Sequence, residues 1–326
     1  MFESQIALLP KLRRPKSNSV VSMPLSSHAH NKLIAMSRMS DILSNQFSDD
    51  STFNKMMQRQ MKLNKTRLMF LESANDFRKK NDFENAARMF SKAIELGSLP
   101  ARAELASLIL TGRINSLGLG EPHSEARFMK GHELVYGVND PDCKGVLALL
   151  YLYTQTRAGW TFSILHPPPP NDPAFIRSAQ HGWNFPWTYA LPLAEESSDA
   201  KSKYGILALG MYELLLAHID KLDFEDINKR IRKEEGKKLH DKQMVSEWNI
   251  EADQLRAEAQ ENKQNGIRLI LKAANPPYNY DYAQFACSQL PLEDGGDPKY
   301  HAMATAQGWM ESWGERCEWS NIVGLR

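Results

Sequence analysis

The chain has 326 residues, 42% of them hydrophobic, enough to bury a sizeable core and to exclude a wholly disordered polymer. Its 40 Lys and Arg residues against 39 Asp and Glu leave a formal charge of +1, which excludes bulk electrostatic coating of nucleic acid or an anionic membrane and leaves only local patches. Cys143, Cys287 and Cys317 are odd in number, far apart and without a CxxC, which argues against a disulfide framework or a zinc knuckle and favours a reducing, intracellular compartment.

Residues 1–50 carry Lys11, Arg13, Arg14, Lys16, Lys32 and Arg38 among many serines, with Glu3 the only acid before Asp41. They read as a disordered basic tail, since their few apolar residues cannot offset the entropy of ordering. The alternative is a cleaved mitochondrial leader, but Glu3 and Pro10 interrupt the amphipathic helix that such a leader needs. No secretory signal is written there, and no apolar run approaches the roughly 20 residues that span a bilayer; membrane insertion is not expected.

From Phe53 to Lys80 the spacing of Met57, Met61, Leu68, Leu71, Ala74 and Phe77 predicts a helix; a methionine face of this kind can be an exposed binding groove, but filling gaps in a core is its commoner use. Asn81-Asp82 breaks it, Asp82 is the expected N-cap of a second helix running to Leu96, and Gly97 is its stop. Ala86, Phe90, Ala93 and Ile94 share one face of that second helix. Next, Ala101-x-x-x-Leu105-Ala106-x-Leu108-Ile109-x-x-Gly112 recurs 42 residues later as Cys143-x-x-x-Leu147-Ala148-x-Leu150-Tyr151-x-x-Thr154. This is an internal repeat.

On these residues, 71–98 resemble a tetratricopeptide repeat, with Ala74 and Phe77 in its first helix and Ala86, Phe90 and Ala93 in its second. The following segments resemble the related Sel-1-like repeat, Ala-x-x-x-Leu-Gly-x-x-Tyr-x-x-Gly followed by a second helix. Ala101 to Gly112 opens one unit, completed by Ala126 and Gly137. Cys143 opens the next, completed by Ser178-Ala179-Gln180-His181-Gly182; Ala200 to Ala208 opens another, completed by Lys272-Ala273-Ala274-Asn275; Ala283 to Leu290 is the last opening. The resemblance implies an all-α fold over 53–320, an α/α superhelical solenoid of stacked antiparallel helix pairs. Ala74, Ala86, Phe90, Ala93, Ala106, Gly112, Ala148, Tyr151 and Gly205 are expected to pack, because small residues at fixed positions let neighbouring backbones approach.

Two insertions interrupt the repeats. Residues 159–192 hold Trp160, Pro167-Pro168-Pro169-Pro170, Trp183, Phe185, Trp187 and Tyr189; the proline run is extended and cannot be helical. The rings either fold that loop back as a satellite core or form a partner surface, and Trp160, Trp183, Phe185, Trp187 and Tyr189 are the candidate anchors. Residues 220–265 are densely charged, with the pair Ile227 and Ile231, the stripe Trp248, Ala252, Leu255 and Ala259, and a break at Gly236. They read as a projecting helical hairpin or a seam for self-association. At the C-terminus a helix through Ala302, Ala306, Trp309 and Trp313 reads as a cap, with Trp319 part of the same cover.

No phosphate loop, dinucleotide fingerprint, nucleophile elbow or pair of metal ligands stands in the sequence. His132-Glu133 lacks a second histidine at helical spacing, and Cys143 occupies a packing position. No catalytic, cofactor-binding or metal-ligating residue is therefore assigned, and no cofactor is expected. Proteins with such repeats mediate protein–protein contacts, so the resemblance implies a non-catalytic scaffold or adaptor that holds a polypeptide on its concave face and aromatic loop. The rival readings are a mitochondrial complex-assembly factor with a cleaved leader and a helical-repeat RNA binder, for which the interrupted basic cluster around Lys229 to Lys238 is weak support.

Overall fold

The computed structural model describes residues 51–114, 125–153, 187–237 and 241–308. Among these residues every regular element is helical, with no strand. The basic tail 1–50, most of the aromatic insertion with its proline run, the closing motif Ser178 to Gly182, and Trp309, Trp313 and Trp319 lie outside the described residues.

The elements are α1 (Ser51–Lys79), α2 (Phe83–Glu95), α3 (Leu99–Leu110), α4 (Glu125–Val135), α5 (Pro141–Tyr153), α6 (Trp187–Asp199), α7 (Lys203–Glu235), α8 (Lys242–Ala274), α9 (Asp281–Ser288) and α10 (Pro298–Ala306), with a 3-10 turn at Leu292–Asp294 before α10. Their boundaries follow from local chemistry. The Asp82 carboxylate accepts the Asn85 N–H at the start of α2, and the Ser98 hydroxyl accepts the Ala101 N–H at the start of α3. Asp140 accepts from both Asp142 and Cys143 at the start of α5. Each bond satisfies an N–H that the helix itself leaves unpaired. Between α2 and α3 the chain reverses at Gly97, whose φ of 82° is cheap only for glycine.

The chain divides into two compact units, Met1–Lys62 and Leu63–Arg326. In the second unit helices pack on their chain neighbours in succession: α2 on α3, α3 on α4 and α5, α5 on α6 and α7, α7 on α8, α8 on α9, and α9 on α10. One apolar core runs from Ala74 to Ala304 through all of them. The last pair also reaches the first. Tyr280 bonds Ser107 of α3 at 3.0 Å, Asp281 pairs with Arg113, and a Cβ on Gly308 would lie 2.6 Å from the Phe83 ring.

The caps align three of the helices, and they correct one sequence expectation. Counting three residues from Ser98, Asp140 and Ser202 aligns Ala101, Cys143 and Gly205. The opener predicted at Ala200 is an exposed turn, in which Lys201 adopts φ 64°. Gly205 instead stands three residues after the cap, and Leu209-Gly210 follows it at the spacing at which Leu105-Ala106 follows Ala101 and Leu147-Ala148 follows Cys143. Backbone contact explains the small residues. A Cβ on Gly145 would sit 2.5 Å from the Gly205 amide nitrogen, and one on Gly266 would sit 2.8 Å from the Gly210 carbonyl oxygen.

Other expectations also change. The aromatic insertion does not extend to Pro192: α6 begins at Trp187 and carries Pro192 inside it, exposed, while Ala190 and Ala194 are fully buried. The charged segment 220–265 belongs to two long helices, α7 ending at Glu235 and α8 resuming at Lys242. Its apolar stripe packs within the chain, where Ile227 and Ile231 meet Val245 and Ala252 beside Phe224, Trp248 and Leu255. In α1 the leading methionines do not fill a core: Met57, Met61 and Leu68 are exposed, and packing begins at Phe70 and Leu71. Ala126 is exposed while its neighbours Arg127 and Phe128 are buried. On α10 the buried face is Tyr300 and Ala304, with Ala302 and Ala306 outside.

Candidate functional site

The polar centre of the second unit gathers where α1, α3, α7 and α9 meet. Glu104 is the one charged residue after Arg102 in a helix otherwise buried along most of its length. Its carboxylate accepts from Lys203 Nζ at 2.8 Å on one oxygen and from Arg78 Nη1 at 2.5 Å on the other. Burial raises the carboxyl, but the charges of Lys203 and Arg78 outweigh it and hold Glu104 at about 2. Arg78 is raised in turn by the Glu104 charge. The group is thus ionised and already neutralised, which fits a structural tie better than an acid or base waiting for substrate.

Beneath this ionic rim lies a floor of tyrosines. Lys203 Nζ stands 4.7 Å from the centre of the Tyr204 ring and 5.4 Å from that of Tyr280. The two rings meet edge to face at 5.1 Å, and Tyr282 meets Tyr280 edge to face at 6.2 Å. Such contacts gain from the ring quadrupole as well as from burial. Burial, first of all, raises the Tyr204 and Tyr280 hydroxyls far from ionisation at neutral pH. Beside them Arg113 lies 5.1 Å over the Phe83 ring and pairs with Asp281. Ser202 donates to Asp142 at 2.6 Å, joining α5 to the start of α7. Gln284, fully buried, donates to the Ala274 carbonyl and accepts from Gln307.

The packing residues singled out from sequence are all interior. Ala74, Ala86, Phe90, Ala93, Ala106 and Ala148 have no exposed surface, Tyr151 is buried, and so are Gly112 and Gly205. Gly131 on α4 leaves room that Leu150 fills from α5. Of the aromatic candidates, Trp160, Trp183 and Phe185 lie outside the described residues. Trp187 opens α6, and Tyr189 is half-buried against the main core. Thus Tyr189 takes part in the core rather than standing free on a loop.

Cys143 and Cys287 are buried and unpaired, and burial pushes each thiol up to about 12, so both are neutral at physiological pH. Among the described residues no group of three or more His, Cys, Asp or Glu side chains is placed to hold a metal ion, and no helix is long and apolar enough to cross a membrane. The cluster of Arg78, Glu104, Lys203 and Tyr280 was missed in the sequence. A signal existed for part of it: Glu104 is the single acid in the apolar helix LPARAELASLIL. Its partners come from 26 and 99 positions away, a pairing that no local pattern encodes. No protein-family model, curated protein or solved structure matches the chain.

Proposed function

We propose that the chain is a non-catalytic scaffold or adaptor, a superhelical solenoid of tetratricopeptide-like and Sel-1-like helix pairs that binds a polypeptide partner. The observation that carries this reading is the common register of α3, α5 and α7. Each is entered through a Ser or Asp N-cap, and each places a small residue three positions later against its neighbour. Repeating units of this kind bury their faces on one another and leave their outer edges for docking.

The inner seam is filled by Tyr204, Tyr280 and Tyr282, each at most 4% exposed. Its acid is already paired. A partner therefore rests on the rim of the stack and on the aromatic segment, with Trp160, Trp183, Phe185 and Trp187 as its anchors, because desolvated aromatic rings dominate binding energy in such contacts. The test compares affinity purification of the full chain with that of its Trp183→Ala, Trp187→Ala variant, after circular dichroism has verified equal helix content. Loss of a stoichiometric polypeptide partner from the variant is expected. An identical set of partners overturns the role of the aromatic segment, and the absence of any stoichiometric polypeptide from both overturns the scaffold itself.

A further inference from the structure

The boundary between the two compact units falls inside α1, between Lys62 and Leu63, so the first turns of that helix group with the residues that precede it. On those turns Phe53 is half-buried while residues 54–63 are exposed, and Phe53, Met57 and Gln60 stand on one face at helical spacing. The residues just before α1 carry a matching face. A helix turns about 100° per residue, which places Leu33, Met36, Met39, Leu43 and Phe47 within about 120° of one another, with Arg38, Asp41 and Asn45 opposite. Ser48-Asp49-Asp50 separates Phe47 from the start of α1 at Ser51. Three residues are an ordinary length for the turn between antiparallel helices.

We propose that residues 33–47 form a helix that folds back on the first turns of α1, so that the chain supplies its own cover for that face. The register selects this occupant. Phe47, Leu43 and Ser40 lie three, seven and ten residues before Asp50, and Phe53, Met57 and Gln60 lie three, seven and ten residues after it. An antiparallel hairpin that turns there matches the faces layer by layer: ring on ring, leucine on methionine, and polar Ser40 on polar Gln60. Shifting either helix by one residue turns its apolar face by about 100° and undoes every layer. Tethering changes the balance of entropy. The apolar residues of the tail cannot offset the cost of ordering by themselves, but closing so short a turn costs little and the receiving helix is already formed. A second copy offers the same face, yet it competes with a segment held at an effective concentration on the order of millimolar. The aromatic segment plays no part in this hairpin, so the proposal stands or falls separately from partner binding there.

The experiment uses the full chain carrying Cys317→Ser. The pair Leu43→Cys, Met57→Cys places two thiols across the second layer. The control, Leu43→Cys with Arg59→Cys, has nearly the same loop length but sets its second thiol on the far side of α1. Cys143 and Cys287 are buried and do not compete. Met57 and Arg59 are exposed, so equal helical circular dichroism is expected. Under mild oxidation the intrachain disulfide should form at least about tenfold faster in the first pair than in the control. Equal rates, the behaviour of an unseated tail, overturn the proposal, and a disulfide that forms mainly between chains overturns it in favour of a second copy on this face. Hydrogen exchange gives a reading without thiols. Amides of 36–46 should be protected in the native chain, and Leu43→Asp, Phe47→Asp should remove that protection while α9 keeps its own. Exchange of 36–46 in the native chain at the rate of an unstructured peptide also overturns the proposal.

Discussion

Glycine positions show how much of the stacking is decided by single atoms. At Gly205 an added Cβ would lie 2.5 Å from the Ser197 carbonyl carbon, and at Gly145 it would lie 2.5 Å from the Gly205 nitrogen. Both obstacles are backbone and cannot rotate away. Gly205→Ala and Gly145→Ala are each expected to cost about 1–3 kcal/mol, read as a lower urea midpoint. Gly236→Ala is the control: its helical φ and ordinary contacts predict a change within about 0.5 kcal/mol. A second residue-scale prediction concerns Glu104. Its carboxyl is depressed from 4.5 to about 2 in the folded chain. A depressed folded-state value means that the unfolded chain binds the proton first, so the stabilisation is complete above about 4.5 and is lost as pH falls towards about 2. Denaturation midpoints of the native chain should fall across that window. In Glu104→Gln the fall should be shallower, and the variant should be weaker at neutral pH by about 1–2 kcal/mol because Lys203 and Arg78 lose their shared partner. The small residues were legible as packing positions because each tolerates only one volume. Glu104 was legible as unusual, but its partners were not.

At the scale of elements, periodicity located helices well and failed where exposure, not pattern, decided the outcome. The alternation of apolar positions from Met57 to Phe77 marks a helix correctly, yet only part of its apolar face joins the main core: Leu71, Ala74 and Phe77 pack on it while Met57 and Met61 are exposed. The pattern within a helix says which face is apolar and not whether anything covers it. Caps corrected the repeat register at Ser202 because Ala200 and Gly205 are both small, and spacing alone could not choose between them. The charged hairpin shows the reverse case. Ile227, Ile231, Trp248 and Ala252 were visible as two stripes, and they pack on one another where α7 and α8 lie side by side. That cluster is separate from the main core, so the distal hairpin should open on its own. Ile231→Ala should lower hydrogen-exchange protection in residues 224–255, with a local cost of about 2–4 kcal/mol, while amides of α2 and α3 keep theirs.

Across the second unit, coupling depends on whether the last helix pair touches the first. In a stack open at both ends each unit feels only its neighbours, and damage at one end leaves the other unaffected. Here Tyr280 bonds Ser107, its ring lies against Tyr204, and the adjacent Asp281 pairs with Arg113, which itself covers Phe83. A change at residue 280 therefore has a direct route to α2 and α3, nearly two hundred positions earlier in sequence, without passing through α4 to α8. No periodic signal could announce this, since the repeat pattern specifies how a pair meets the next pair and says nothing of how the series ends. Tyr280→Ala empties a buried aromatic site and should cost about 3–5 kcal/mol, whereas Tyr280→Phe removes one hydrogen bond and should cost about 1 kcal/mol. The distribution of the loss is the decisive reading. Hydrogen exchange in Tyr280→Ala should accelerate in α2 and α3 as well as in α9 and α10; acceleration confined to α8, α9 and α10 would mean that the contacts at Ser107 and Arg113 transmit nothing and that the units behave as an open array.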